Sequence, residues 1–388
     1  MKKTQIMLLA GAVAASLAVL PAAAELPTYR VEVLGPNLQG FGMNEHGDVV
    51  GRKLVANVGH AFLVPMGAAE GTSIDLPVPA EWVSSDAYAV SDNGVIVGAV
   101  STTTIATVGS HAAAWYPTPR GYQFMLLGQL PGHQYSTALG VNNLGDIVGG
   151  SGGIGLGLYT NAVRFTNPGV VELPGLSLPA DVNDDRLVVA GNTILDLDTM
   201  TTSTIPLPPG NWQGMVAADI NNVGGICGYI SGFSGCSTFP VLYMPPGPME
   251  IVGGCATTTA AVSVNDLGDT LTFVTNGGVG VVFAGENYMG IGPLIDPAEG
   301  NWLITGVSTI NNARQMLVGG KDLSNPIAQL LRLTPIVLGD LDGNGTVNGA
   351  DLGVLLGAWG SVGGPADLDG SGLVDGGDLG VLLGAWTN

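Results

Sequence analysis

Two short segments near the C-terminus carry acidic side chains at a spacing that suits a metal ion. They run over residues 340–351 and 367–378 and begin 27 residues apart. Each has oxygen-bearing side chains at positions 1, 3, 5, 9 and 12, a glycine at position 6 and a backbone carbonyl available at position 7. The expected ligands are Asp340, Asp342, Asn344, Thr346, Asn348 and Asp351 in the first loop and Asp367, Asp369, Ser371, Leu373, Asp375 and Asp378 in the second.

Oxygen ligands at this spacing are typical of calcium, so the sequence predicts two Ca²⁺ ions. Magnesium suits the loops less well because it requires a compact octahedron and keeps several of its waters. The first loop has three carboxylates and the second has four, so we expect the second to bind calcium more tightly. A solvated acidic linker is the alternative interpretation, and the in-register recurrence of the pattern argues against it.

The same nonapeptide, DLGVLLGAW, follows from the last ligand of each loop, over residues 351–359 and 378–386. We expect a short helix that begins at that ligand and has its leucines and tryptophan on one side. Two glycines, each costing up to about 1 kcal/mol relative to alanine, make such a helix unstable alone. We therefore expect the tail to be largely unfolded without calcium and folded with it.

Upstream of the loops, a short phrase recurs seven times and predicts β-hairpins. Its fullest copies read N-x-x-G, then an apolar stretch that ends in glycine, as in residues 44–51 and 142–149. Asparagine or aspartate and then glycine supply the positive-φ positions of a tight turn, and the flanking residues supply two strands. The copies begin at Asn44, Ser91, Asn142, Asn183, Asn221, Asn265 and Asn311.

The spacing of these copies predicts an all-β fold, a seven-bladed β-propeller. Successive copies lie 38 to 51 residues apart, and a second strand pair gives four strands in each repeat. The last copy meets the tail before a fourth strand can form. We expect residues 29–34 to supply that strand and complete the seventh blade.

Residues 1–24 read as a signal peptide, with two lysines, an apolar stretch and an alanine-rich cleavage site. A retained membrane anchor is the alternative, but about 15 apolar residues are too few to span a bilayer. We expect residues 25–336 to form the propeller and residues 337–388 a small α calcium-binding loop–helix pair. The mature protein is then secreted or on the cell surface, with no transmembrane segment.

The charge and the cysteines limit the possible partners and cross-links. Lysine and arginine number 11 against 31 acidic residues, a net charge of −20, and no basic stretch can neutralise phosphates, so nucleic acid is not an expected partner. In an exported chain, Cys227, Cys236 and Cys255 allow one disulfide in three pairings, or a buried reduced trio.

No catalytic constellation is visible in the propeller sequence, so we expect that the chain is not an enzyme. Two carboxylate pairs lie close in sequence, Asp184 with Asp185 in a repeat turn and Asp196 with Asp198 along a strand, and both are typical of structural positions. Four tryptophans serve either as sugar-stacking platforms or as buried blade anchors. They are Trp82, Trp115, Trp212 and Trp302.

The repeats resemble the HAF family of extracellular repeats, on the residues His60, Ala61 and Phe62 and on the phrase at 142–149. The resemblance covers roughly residues 29 to 335 and implies an exported repeat protein rather than a known reaction.

The tail, residues 339–387, resembles a type I dockerin, because its two loop–helix units lack the helix that precedes the loop in an ordinary EF-hand. This resemblance implies calcium-dependent docking to a cohesin-like receptor, usually of polysaccharide-degrading components. That family reads its partner at loop positions 10 and 11, often Ser-Thr. Here those positions hold Gly349, Ala350, Gly376 and Gly377.

Together these features predict a secreted calcium-binding adaptor. Its tail attaches a propeller, which carries a glycan or protein ligand, to a surface receptor or polysaccharide-processing complex. Two alternatives stay open: a polysaccharide-active hydrolase with an unidentified active site, and a structural surface protein.

Overall fold

The computed structural model describes residues 26–104, 109–153, 159–166, 169–232, 237–254, 259–274, 278–343 and 346–386, without the side chain of Pro326. The predicted signal peptide lies outside these ranges, as do Cys236, Cys255 and the predicted ligand Asn344. Among the helices in these ranges, none is long and apolar enough to cross a membrane.

Seven four-stranded antiparallel sheets follow one another along the chain. The chain starts with β1 (Tyr29–Pro36). Blade 1 has β2 (Leu38–Met43), β3 (Val49–Val55), β4 (Val58–Val64) and β5 (Ile74–Asp75). Blade 2 has β6 (Ser84–Val90), β7 (Ile96–Ser101), β8 (His111–Thr118) and β9 (Gly121–Leu126). Blade 3 has β10 (Tyr135–Val141), β11 (Ile147–Gly152), β12 (Asn161–Phe165) and β13 (Val170–Glu172).

The second half of the ring repeats this order. Blade 4 has β14 (Asp181–Val182), β15 (Leu187–Ala190), β16 (Thr193–Asp196) and β17 (Thr201–Thr204). Blade 5 has β18 (Trp212–Ile220), β19 (Ile226–Gly232), β20 (Thr238–Tyr243) and β21 (Met249–Ile251). Blade 6 has β22 (Thr259–Val264), β23 (Thr270–Val274), β24 (Gly278–Val282) and β25 (Met289–Gly290). Two 3₁₀ turns follow, Gly292–Leu294 and Pro297–Glu299, and blade 7 has β26 (Trp302–Ile310), β27 (Met316–Asp322) and β28 (Asn325–Pro335).

The predicted all-β, seven-bladed propeller is confirmed, and so is the way it closes. Strand β1 pairs with β28 as the outermost strand of blade 7, with Glu32 opposite Arg332. Arg332 is fully buried, and its guanidinium donates to both carboxylate oxygens of Glu32 at 2.6 and 2.8 Å. The first and last strands of the ring are therefore joined by a bidentate ion pair as well as by the sheet.

Each copy of the repeated phrase forms the turn between the first two strands of its blade, but one detail of the prediction is wrong. Only the fourth residue of the turn has a positive φ; it is Gly47, Gly94, Gly145, Arg186, Gly224, Gly268 and Arg314 in the seven copies. The leading asparagine is not a positive-φ residue. Its side chain is instead committed to hydrogen bonds, as in Asn44, whose Oδ1 accepts the Asp48 N–H at 2.8 Å.

The hydrophobic core lies between neighbouring blades. Strands such as β7 are buried on both faces, since one face packs on the preceding blade and the other on the next. Trp115 is fully buried between blades 1 and 2, and its indole N–H donates to the Pro77 carbonyl at 2.8 Å. A seven-blade ring therefore holds a series of separate interfaces rather than one central core.

The tail contains two short helices, α1 (Gly349–Gly357) and α2 (Gly376–Gly384). Each begins two residues before the expected start, because Asn348 and Asp375 act as N-caps and form capping boxes with Asp351 and Asp378. The two units pack on a small shared core of fully buried residues. These are Val347, Leu355, Val374 and Leu382.

Candidate metal centres and the propeller channel

The first acidic triad consists of Asp340, Asp342 and Asp351, which offer oxygen atoms that lie within 4.8 Å of one another. Asp351 is fully buried at the start of α1. Its Oδ1 accepts the backbone N–H groups of Leu341 at 2.7 Å and Asp342 at 3.0 Å, and its Oδ2 accepts that of Asn348 at 2.9 Å. Three backbone N–H groups of the loop therefore point at this carboxylate and fix its position.

The second triad, Asp367, Asp369 and Asp378, repeats this arrangement within the same 4.8 Å limit. Asp378 accepts the N–H groups of Asp375 at 2.7 Å and Asp369 at 3.1 Å, which hold the pKa of its carboxyl below the usual range. One oxygen of Asp367 accepts the Gly372 N–H at 2.9 Å, whereas the other, Oδ1, is buried without a hydrogen-bond partner.

A buried acceptor without a donor is costly unless something else satisfies it. At Asp367 the nearby groups are two further carboxylates, which cannot donate when ionised. A hard cation with oxygen ligands fits this donor set, whereas a group that needs sulfur or imidazole ligands does not. Two acidic triads that can hold metal ions are thus present in the tail.

The other predicted ligands lie outside the two triads, and their side chains form local hydrogen bonds. The side-chain oxygens of Asn348 and Asp375 accept the N–H groups of Ala350 at 2.8 Å and Gly377 at 2.7 Å, as helix caps. The hydroxyl of Ser371 donates to the Leu373 carbonyl at 3.2 Å. Thr346 lies exposed, and its hydroxyl accepts from Asn348 Nδ2 at 3.0 Å. Their roles as metal ligands stay predictions.

The residues predicted to contact a partner, Gly349, Ala350, Gly376 and Gly377, are all exposed in the first turns of the helices. The expectation that the leucines and tryptophan of each helix share one side is wrong. Consecutive residues on a helix point about 100° apart, so one leucine of each adjacent pair is buried and the other is exposed. The exposed apolar residues are Val354, Leu356 and Leu383 in the helices and Trp359 and Trp386 just after them.

The propeller has a central channel lined in large part by two rings of polar residues that the sequence reasoning missed. The anchor ring consists of the seven residues that begin the repeated phrase. Except at Ser91, each has an amide that donates to the backbone carbonyl of the next anchor residue, at 2.7 to 3.3 Å. The asparagines therefore tie neighbouring blades together.

The turn ring consists of the residues that follow the anchors, which are Glu45, Asp92, Asn143, Asp184, Asn222, Asp266 and Asn312. Each backbone N–H of this ring donates to the side-chain oxygen of the next member, at 2.7 to 3.0 Å, and the last bond runs from Asn312 back to Glu45. The sequence signal was available, because every member has a carboxylate or an amide oxygen.

Carboxylates and amides alternate around the turn ring except at one junction. A ring of seven cannot alternate completely, and the two acidic neighbours are Glu45 and Asp92. Partial desolvation of its carboxylate by the neighbouring ring groups, reinforced by the charges of Asp92 and Asp266, raises the pKa of Glu45 to about 7. The raised pKa therefore lies at the one junction of the ring where two carboxylates are neighbours.

A second acidic pair lies on the channel wall, two residues before the anchors of blades 4 and 5. Burial raises the pKa of both Asp181 and Asp219, and the charge of Asp219 raises that of Asp181 further. Asp219 also accepts the Val264 N–H at 2.9 Å. These groups line a cavity of about 270 Å³. A carboxyl that keeps its proton can both donate and accept a hydrogen bond.

The carboxylate pairs that the sequence singled out have local partners instead. Asp184 belongs to the turn ring and accepts from Asn143, whereas its neighbour Asp185 is exposed. Asp196 accepts the N–H groups of the following turn, and Asp198 pairs with Arg186 at 2.9 Å. These contacts account for both pairs without a shared site.

The tryptophans and the described cysteine are structural. Trp115 is fully buried, and Trp82, Trp212 and Trp302 are half-buried, so none of the four presents an exposed ring. Cys227 is a fully buried free thiol whose pKa is raised by burial, which keeps it protonated.

Comparisons with known proteins yield a fold-level likeness. No protein-family model matches the chain, and no curated protein matches it. Solved structures do match, among them a gluconolactonase from Xanthomonas campestris, with a TM-score of 0.39 and 12% identity over 82% of this chain and 99% of that one. The HAF and dockerin resemblances gain no support from these comparisons and stay predictions.

The expectation that the chain is not an enzyme is withdrawn, because the gluconolactonase that matches it is an enzyme; a match with a TM-score of 0.39 assigns no activity to this chain. No set of catalytic residues is close together in the propeller sequence. The Asp181–Asp219 pair was missed because those two residues lie 38 positions apart in sequence and meet only across a blade interface.

Proposed function

We propose that the chain is a secreted calcium-binding attachment protein, in which the tail binds two Ca²⁺ ions and, once loaded, docks the propeller to a receptor on a surface or in a polysaccharide-processing complex. The observation that carries the proposal is the convergence of three carboxylates in each of two loops related by sequence. Like charges so close are unfavourable without a cation, and calcium provides it.

Three further features support this function. The unpartnered Oδ1 of Asp367 fits a metal ligand. The exposed Leu356, Trp359, Leu383 and Trp386 give the tail an apolar surface of the kind that partners cover. The N-terminal sequence pattern supports export to a compartment where calcium is abundant.

Calcium titration of the mature chain by isothermal calorimetry tests the metal sites. We expect two ions per wild-type chain and one per Asp369→Asn chain, because Asp369 is an exposed member of the second triad and its loss does not disturb the core. Asp185→Asn is the matched control, since it removes the same charge from an exposed propeller turn. Two ions in the Asp369→Asn chain, or none in the wild type, contradict the proposal.

Retention on cell envelopes of the source organism tests docking. We expect the wild type and Asp185→Asn to sediment with envelopes in millimolar calcium and to be released by EDTA. The double variant Asp342→Asn/Asp369→Asn is expected to stay in the supernatant under both conditions. Equal retention of the double variant and the wild type would show that the calcium loops do not mediate attachment.

A further inference from the structure

The two loops differ at their first ligand. In the first loop, Asp340 accepts the Gly343 N–H at 2.8 Å through Oδ1, and its Oδ2 lies 3.7 Å from Nη2 of Arg30. The side chain of Asp340 is fully buried. In the second loop, the equivalent Asp367 has a buried Oδ1 without a hydrogen-bond partner. One triad therefore already faces a cation from elsewhere in the chain.

The glycines at position 4 of the loops show the same difference. A Cβ on Gly343 would lie 2.5 Å from Nη1 of Arg30, so the guanidinium packs directly on the turn of the first loop. A Cβ on the equivalent Gly370 would meet nothing within 4 Å. Within the described part of the chain, the second triad forms no ion pair with a basic residue.

The propeller, not the tail, holds Arg30 in this position. Arg30 is on β1, where it pairs with Thr334 of β28, and the preceding Tyr29 is fully buried. The Ile336 N–H donates to the carbonyl of Thr28, which immediately precedes β1, at 2.6 Å, so the start of the tail is bonded to the beginning of this strand. Only residues 336–339 separate β28 from Asp340. The position of β1 therefore sets the distance between the Arg30 guanidinium and the Asp340 carboxylate of the first loop.

The charge balance gives this contact a consequence for metal binding. The first loop has three carboxylates, and Arg30 offsets one of them, whereas the second loop has four carboxylates without such an offset. A cation beside Asp340 lowers the attraction of that loop for a second cation. Because coupling is reciprocal, a calcium ion at Asp340 also weakens the hold of Asp340 on Arg30.

We propose that Arg30 is a built-in competitor for calcium at Asp340, so that the two loops fill at separate calcium concentrations and filling of the first loop is coupled to the closing strand of the propeller. This inference rests on the proposed function, in which both loops bind calcium. The second loop then fills at a lower calcium concentration than the first.

Calcium titration of the full mature chain with Arg30→Gln tests the competition. In the Asp369→Asn background, which isolates the first loop, we expect Arg30→Gln to lower the calcium Kd about tenfold, within the usual range of coupling between sites. In the Asp342→Asn background, which isolates the second loop, we expect no change. Arg120→Gln is the matched control, because Arg120 is exposed on a distant propeller turn; it should leave both Kd values unchanged.

The possible outcomes separate the inference from the function on which it rests. If two ions bind and Arg30→Gln does not change the Kd of the first loop, Arg30 is not a competitor, and the proposed function stands. An equal effect of Arg120→Gln would show that only net charge matters, which also rejects the inference. If the wild type binds no calcium, both proposals are wrong.

Discussion

The propeller and the tail both place carboxylates on repeated turns, but they neutralise them differently. In the turn ring, amides separate the acidic residues at every junction except Glu45–Asp92, and each oxygen that closes the ring accepts a backbone N–H from the neighbouring blade. In the tail, three carboxylates converge within 4.8 Å in each loop. The turn ring is thus closed by protein groups, whereas the two triads of the tail can each hold a metal ion.

The propeller also buries more apolar side chains than the tail does. Blade interfaces bury large side chains such as Trp115 and Phe62 completely. The tail has a core of a few aliphatic residues, and both of its tryptophans are exposed. A unit of about 50 residues with so small a core is marginal without a staple. Four predictions test how far this contrast holds.

The largest expected effect is the loss of tail structure on calcium removal. We expect EDTA to abolish hydrogen-exchange protection of α1 and α2, because the converging carboxylates then repel one another and the small core cannot compensate. Strands β7 and β27 should keep their protection and serve as the internal control. Full protection of both helices in EDTA would show that the tail, like the propeller, folds without a metal.

The next effect concerns the blade cores. Trp115→Ala removes a fully buried indole, so we expect the free energy of unfolding of the propeller to fall by about 3–5 kcal/mol. The change should be the same in calcium and in EDTA. Trp359→Ala, at an exposed position in the turn after α1, is the matched control and should change stability by less than about 0.5 kcal/mol. Urea denaturation followed by fluorescence measures both, and a calcium-dependent loss at Trp115 would break the comparison.

A smaller effect is expected at the anchor ring. Asn311 joins the last blade to the first through Nδ2, which donates to the Asn44 carbonyl at 3.3 Å and to the Gln315 side chain at 2.8 Å. Asn311→Ala leaves buried polar groups unpaired, so we expect a loss of about 2 kcal/mol in unfolding free energy. Asn287→Ala, at an exposed loop, is the control. Equal stability of the two variants would show that the ring adds nothing to closure.

The smallest effect is a pH dependence at the acidic junction. Because the pKa of Glu45 is raised to about 7 in the fold and is near 4.3 in the unfolded chain, its contribution to stability is fully present below about pH 4 and is lost as the pH rises through 7. Glu45→Gln keeps an oxygen for the Asn312 N–H without the charge. We expect this variant to be more stable by about 0.5–1 kcal/mol at pH 8, after allowance for solvent screening, and unchanged at pH 4.

Thermal unfolding of the wild type and Glu45→Gln at both pH values measures this difference. Asp185→Asn is the control, since it removes one negative charge outside the ring. A gain for Glu45→Gln at pH 4 as large as at pH 8 would rule out ionisation of Glu45 as the cause.

Most of the fold could be predicted because its signals are local. The repeated turn phrase marks each blade, and the number of copies gives the number of blades. The last copy lacks a fourth strand and an extra strand precedes the first copy, which implies that β1 completes blade 7. The tail loops were visible for the same reason, since their ligands lie within twelve consecutive residues. Helix starts were missed by two residues because the capping box, not the last ligand, begins each helix.

Contacts between residues that are distant in sequence could not be predicted in this way. Asp340 and Asp367 occupy the same place in two similar loops, and the sequence around them does not reveal that Arg30, more than 300 residues earlier than Asp340, faces only one of them. The pairing of Asp181 with Asp219 and the closing bond from Asn312 to Glu45 are of the same kind. Each joins residues that are distant in sequence and adjacent only across a blade interface.

The sequence by itself therefore determined the architecture of this protein: seven repeats of strands, a closing strand and two acidic loops, because turns, periodicity and ligand spacing are properties of neighbouring residues. The tertiary structure alone decided which charges meet. Closing a ring brings the two ends of the chain together, and this places Arg30 beside Asp340 and Glu45 beside Asn312, where electrostatic energies depend on distances in space.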